Sequence, residues 1–209
     1  MRPVIIDLEA SSLNKGFPIE VGWVEVDEDN RLRGQAHLIR PTDEWLQDFV
    51  WDRGAQAIHG IRLDLLQEMG LAPIEVVQKL GRNLGDAIAF TDNPIADGHW
   101  LGLLYAAAGH PMRLRLADVE LAYNVFRKQE HQNPGEREAA KQDASRRYIA
   151  AEQLANKLAP ITHAALANAL HHAAFYLLLR PGGDSLDAVD ALILEMELVF
   201  STQRKFNGA

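Results

Sequence analysis

The chain has 209 residues, with 29 Asp and Glu against 21 Lys and Arg, a formal charge of -8, and no cysteine. That length suits one domain with a sizeable core. The acidic balance argues against a strongly basic nucleic-acid binder, though not against an enzyme with a local basic rim and metal ions, and the lack of cysteine excludes disulfides, thiol catalysis and zinc-thiolate sites. No signal-peptide pattern is visible and no apolar run is long enough to span a membrane, so a cytoplasmic protein with no membrane partner is expected.

The opening run Val4-Ile5-Ile6-Asp7-Leu8-Glu9-Ala10 reads as a strand buried inside a sheet. Asp7 and Glu9 stand two positions apart, so on a strand both point to one face. Two carboxylates there repel each other, and a hard divalent cation is the simplest way to make the arrangement favourable. The alternative is a strand end meeting solvent. A polar turn follows at residues 11–16, and the alternation in residues 18–26 predicts a second strand. Residues 27–30 read as a hairpin turn and residues 31–40 as a third strand, with Gly34 a candidate bulge. A short helix is expected over residues 43–49, with Trp45, Leu46 and Phe49 inward. A helical turn should end at Gly60, a helix over 63–69 should stop at Gly70, and Pro73 should open another carried by Val76, Val77, Leu80 and Leu84.

Residues 87–90 are short and apolar and fit a buried strand. After Asp97 the spacing turns helical through Trp100, Leu101, Leu104 and Tyr105, which puts Asp97 near a helix start; a plain N-cap role is the rival reading. Leu114 and Leu116 mark a strand, and Asp118 can cap the helix after it. Asn133-Pro134-Gly135 is a break. Helices are expected over residues 136–158, from 164 or 165 to 179, and over 186–200, before a polar tail. His171 and His172 read as packing and surface, since no Asp or Glu ligand pattern accompanies them in sequence.

Asp7 and Glu9, Asp97, His163 and Asn168 stand out as carriers of chemistry. In order and spacing these segments resemble the DEDDh-type 3′–5′ exonucleases, the ribonuclease H-like group that includes polymerase proofreading subunits, ribonuclease T and oligoribonuclease. Ile5-Ile6-Asp7-Leu8-Glu9 is similar to the first motif, Ile58-His59-Gly60-Ile61 to the helical connector, Asp92-Asn93-Pro94 with Asp97 to the second motif, and His163-Ala164-Ala165-Leu166-Ala167-Asn168-Ala169 to the third. The resemblance runs from about residue 3 to about residue 180.

The resemblance implies a ribonuclease H-like α/β fold: a five-stranded mixed sheet, the second strand antiparallel to the rest, helices on both faces. One domain would cover residues 1–209, helical from about residue 118. It implies a two-metal phosphodiesterase with Mg²⁺ or Mn²⁺, the ions about 3.5–4 Å apart. Asp7 would bridge the ions, Glu9 would hold the one that activates water, Asp97 would serve the other, and His163 would be the general base. The substrate would be a single-stranded DNA or RNA 3′ end or a short oligonucleotide, met by backbone near Ala10 and Ser11 and by a base stacked on Leu13. Dimers are common in that family, so a homodimer is a candidate assembly.

One position departs. The family motif ends in aspartate where this chain has Asn168. An amide is neutral and offers one weak carbonyl ligand, so the expectation is a weakened nuclease, a catalytically silent domain that binds nucleic acid ends or a protein partner, or a site completed by another carboxylate. Helix geometry adds a constraint: inside one helix His163 and Asn168 would lie about 140° apart, so His163 should sit on the turn before the helix.

Overall fold

The computed structural model describes residues 3–27, 31–85, 87–127, 145, 146, 148, 149, 151–153, 155, 156 and 163–179. Its centre is a five-stranded sheet of β1 (Val4–Ala10), β2 (Pro18–Val26), β3 (Leu32–Leu38), β4 (Ile88–Thr91) and β5 (Arg115–Asp118), in the order β3-β2-β1-β4-β5. β2 runs antiparallel to β1 and β3, while β4 and β5 run parallel to β1. The mixed sheet expected from the sequence is therefore the sheet observed.

Period-two alternation divides the sheet into two faces. Val4, Ile6 and Leu8 of β1 and Ile19, Val21 and Trp23 of β2 share one core. That core is covered by α1 (Asp43–Asp48), α3 (Leu63–Met69), α4 (Pro73–Leu84) and α5 (Pro94–Ala107). Short α2 (Arg53–His59) lies between α1 and α3 in the chain. Ile5, Val24 and Val26 point the other way, into a second core with α6 (Val119–Arg127), α7 (Ala165–Leu179) and the buried Ala151 and Ala155. Helices thus cover both faces, as layer packing requires of a sheet buried on both sides.

Most local signals act as their chemistry dictates. Gly60 ends α2 with φ 73°, a left-handed conformation that glycine adopts without strain. Pro73 opens α4, where its missing N–H goes unused. Asp118 accepts from the Glu120 N–H at 2.9 Å and so caps α6. Trp100 is buried in the core.

Three expectations need correction. Leu46 is exposed, because a six-residue helix turns only one narrow face inward and Trp45 occupies it. β3 stops at Leu38 rather than at residue 40. Gly34 is no bulge: it pairs in register with Val24, and a Cβ there would meet Leu166 Cδ1 at 2.8 Å, so the glycine makes room for α7. The register shift instead falls at Glu9 and Ala10. The expected Asn133-Pro134-Gly135 break, most of the helix over 136–158, the helix over 186–200 and the tail lie outside the described residues. No helix among the described residues is long and apolar enough to cross a membrane.

Candidate metal centre

Asp7 and Glu9 continue the Ile5 side of β1, towards α7. β4 lies beside and parallel to β1, pairing Ala89 with Val4 and Phe90 with Ile5. Two residues further along each chain, Asp92 comes level with Asp7. α5 then starts at Pro94 and turns Asp97 back towards the same place. Carboxylate oxygens of Asp7, Asp92 and Asp97 all lie within 4.8 Å of one another. Such a grouping of oxygen donors from separate elements suits Mg²⁺ or Mn²⁺, which take hard oxygen ligands.

Local chemistry holds each group. Asp97 is only 2% exposed, in the first turn of α5. The N-cap of that helix is Asn93, whose side chain accepts from the Ala96 N–H at 3.2 Å, so Asp97 does not cap it. The Thr91 hydroxyl donates to Asp97 and accepts from the Asn93 N–H. Asp92, by contrast, has a side chain 53% exposed.

The electrostatics record a repulsive assembly. Burial, then Asp97, Glu9 and Asp92, push the Asp7 carboxyl well above its usual range, against the Asn168 amide, which lowers it. Glu9 is pushed up to about 8 by burial and then by Glu20, Asp97 and Asp92. Asp97 is raised to about 7, chiefly by burial, with the Thr91 hydrogen bond opposing. A bound cation favours the charged form of every one of these groups.

α7 closes the site. Its first N–H, on Ala165, donates to buried Glu20 Oε2 at 2.9 Å. Glu20 pairs directly with Glu9 across the β1–β2 ladder. The helix crosses β2 at Gly22, where a Cβ would meet Leu166 N at 2.3 Å; only glycine lets the backbones come this close. The crossing brings Asn168 Nδ2 to 3.3 Å from Asp7 Oδ2. The amide therefore stands beside Asp7 as a hydrogen-bond donor. His163 sits exposed at a bend just ahead of α7 while Asn168 lies within the helix, the division that helix geometry demands. His163 is near enough to His59 to add to the lowering of the His59 pKa by burial.

Of the residues singled out in the sequence, Asp7, Asp97 and Asn168 come together. Glu9 flanks them on β1 but is not one of the three mutually close carboxylates. Asp92 was missed as a donor, although it directly follows an apolar strand and its level with Asp7 follows from pairing the two strands. Thr91 and Glu20 were missed because their roles depend on partners supplied by other elements. His172 does have an acidic partner, contrary to the sequence reading: its Nε2 lies 3.6 Å from Asp92 Oδ2. At the loop after β1, the Ser11 N–H donates to Phe17 O, the Ser11 carbonyl accepts from the Asp52 N–H, and the hydroxyl donates to Val50 O. Ala10 is buried, and Leu13 projects from this loop 90% exposed.

No family model matches the sequence, and no curated protein matches it. Solved structures do. A zinc ion-bound complex of E. coli Exonuclease I with single-stranded DNA has a TM-score of 0.52 at 13% identity. E. coli Exonuclease I with a 5cy-dT13 oligonucleotide has a TM-score of 0.54 at 12% identity. Each match covers 83% of this chain and 39% of the Exonuclease I chain, so the chain spans well under half the length of that relative. At such identity the likeness is one of fold. The chain has the ribonuclease H-like α/β fold found in Exonuclease I, and its Asp7, Asp92 and Asp97 could chelate a divalent metal ion.

Proposed function

We propose that the chain is a metal-dependent 3′–5′ exonuclease acting on single-stranded DNA or RNA ends or short oligonucleotides, with activity reduced by Asn168. The observation that carries this reading is the convergence of Asp7, Asp92 and Asp97 at neighbouring ends of the parallel strands β1 and β4. Phosphodiester hydrolysis needs an activated water and neutralised phosphate oxygens, and a pair of divalent ions supplies both when bound. Asp7, Asp92 and Asp97 would hold one ion, and Glu9 with Asp7 the other. His163, on its exposed bend, would take the proton of the attacking water. Leu13 would lie against the terminal base, on the loop that Ala10 and Ser11 anchor.

Asn168 defines the second reading, a silent domain that binds nucleic acid ends or a protein partner. Its neutral amide donates to Asp7, so it contributes no negative charge for a cation. A 5′-labelled single strand incubated with Mn²⁺ separates the two. Stepwise shortening is expected, faster in Asn168→Asp and abolished in Asp7→Asn. If neither the native chain nor Asn168→Asp cleaves, and neither binds Mn²⁺, the nuclease reading fails and the silent one stands.

A further inference from the structure

α7 is apolar almost throughout, and along it only Asn168, His172 and Tyr176 escape full burial, each four residues from the next. Residues four apart lie about 40° apart around a helix, so these three form one stripe. Asn168 meets Asp7 at 3.3 Å, and one turn on, His172 Nε2 faces Asp92 Oδ2 at 3.6 Å. The two carboxylates that the stripe addresses are themselves within 4.8 Å of each other. One helix therefore grips two members of the cluster, one at the end of β1 and one at the corner between β4 and α5.

The grip matters most for Asp92. Asp7 and Asp97 are fixed by burial, whereas Asp92 stands in a corner with its side chain half exposed. An exposed carboxylate samples several rotamers, and ordering it opposes metal binding. Among the described residues, His172 is the basic side chain set against this carboxyl, its Nε2 3.6 Å from Asp92 Oδ2. The imidazole is itself held. The hydroxyl of buried Tyr123, on α6, lies 2.9 Å from His172 Nδ1. The same hydroxyl lies 3.5 Å from the His172 carbonyl, so the contact to Nδ1 is the shorter of the two. When the phenol donates to Nδ1, Nε2 carries the hydrogen that faces Asp92.

Resting on the metal-site reading above, we propose that His172 is a positioning residue, oriented by Tyr123, that aims Asp92 at the metal and so lets Asp92 supply the carboxylate missing at Asn168. The aspartate expected from α7 is replaced by one from the β4–α5 corner, and α7 keeps its part by holding that group in place. Groups that orient metal ligands in this way commonly change affinity by roughly 10- to 100-fold when removed.

Mn²⁺ affinity measured by titration calorimetry on the full chain, beside the unfolding midpoint, tests this. His172→Phe should weaken Mn²⁺ binding about tenfold or more. His172→Gln, whose amide can donate from nearly the same place, should restore most of it, and Tyr123→Phe should cost a few-fold. In an Asp92→Asn background His172→Phe should have no further effect, whereas a merely structural histidine would cost affinity there too. Unchanged affinity in folded His172→Phe, or an equal loss in both backgrounds, overturns the proposal while leaving the metal site intact. If His172→Phe does not fold, His172→Gln and Tyr123→Phe decide: a loss in Tyr123→Phe with near-native His172→Gln supports the proposal, and native affinity in Tyr123→Phe overturns it. A native chain that binds no Mn²⁺ defeats the metal-site reading itself.

Discussion

The two faces of β1 and β2 are built from alternate residues of the same strands, yet they do opposite work. On one face Ile6, Leu8, Val21 and Trp23 are buried against apolar helices. On the other, Asp7, Glu9 and Glu20 face α7, and their pKa values are all raised by burial. Removing apolar surface from water stabilises the fold. Gathering partly desolvated carboxylates opposes it. The first face supplies the rigidity that lets the second hold an arrangement unfavourable without a cation.

The sharpest way to break this comparison is at the crossing of α7 over β2. Gly22→Val would drive a Cβ into the Leu166 and Ala165 backbone, with Leu166 N at 2.3 Å. Since the obstruction is backbone, the loss should exceed about 4 kcal/mol and leave little folded protein. A cooperative, near-native melting curve for this variant would show that α7 does not sit where we place it. Neighbouring positions on β1 give the next test. Ile6→Ala should cost about 3 kcal/mol through the cavity it leaves in the apolar core. Asp7→Asn in EDTA at pH 8 should instead raise the unfolding midpoint, because it removes a carboxyl whose ionisation burial and neighbouring carboxylates oppose. Denaturant unfolding of both would be compared; losses of the same sign and size would contradict the division of labour.

The most gradual effect is a slope. A carboxyl whose folded pKa lies above its unfolded one binds protons more tightly when folded, so stability falls as pH rises between the two values. Glu9 rises from 4.5 to about 8 and Asp97 from 3.8 to about 7. The metal-free protein should therefore lose thermal stability from about pH 4 to about pH 8, with the slope reduced in Glu9→Gln. Saturating Mn²⁺ should raise the midpoint most at the alkaline end. A midpoint that climbs with pH across this window in EDTA would reverse the assignment.

The fold was legible where local chemistry governs it. Gly60, Pro73 and Asp118 marked helix boundaries because each acts on backbone within two residues of itself. The period-two run of β1 placed Asp7 and Glu9 on one side, and helix geometry placed His163 ahead of α7. The site was legible only in part. Asp92 depends on the register of β4 against β1, and His172 depends on α7 crossing the sheet at Gly22. Both facts arise from packing between distant elements. Gly34 was misread for the same reason, since what demands a glycine there is the Leu166 side chain of a remote helix.

The bond between Glu20 and the Ala165 N–H also has a mechanical meaning. It is a pivot set between a packed arm and an exposed one. Beyond it Asn168 belongs to a packed helix and is held to Asp7. Before it His163 lies on an exposed bend. A turn about the pivot would sweep the histidine through solvent on the nanosecond-to-microsecond scale of loop motion, while the carboxylate side stays still. The two ends of one short segment would then run on separate clocks, one set by the loop and one by the core.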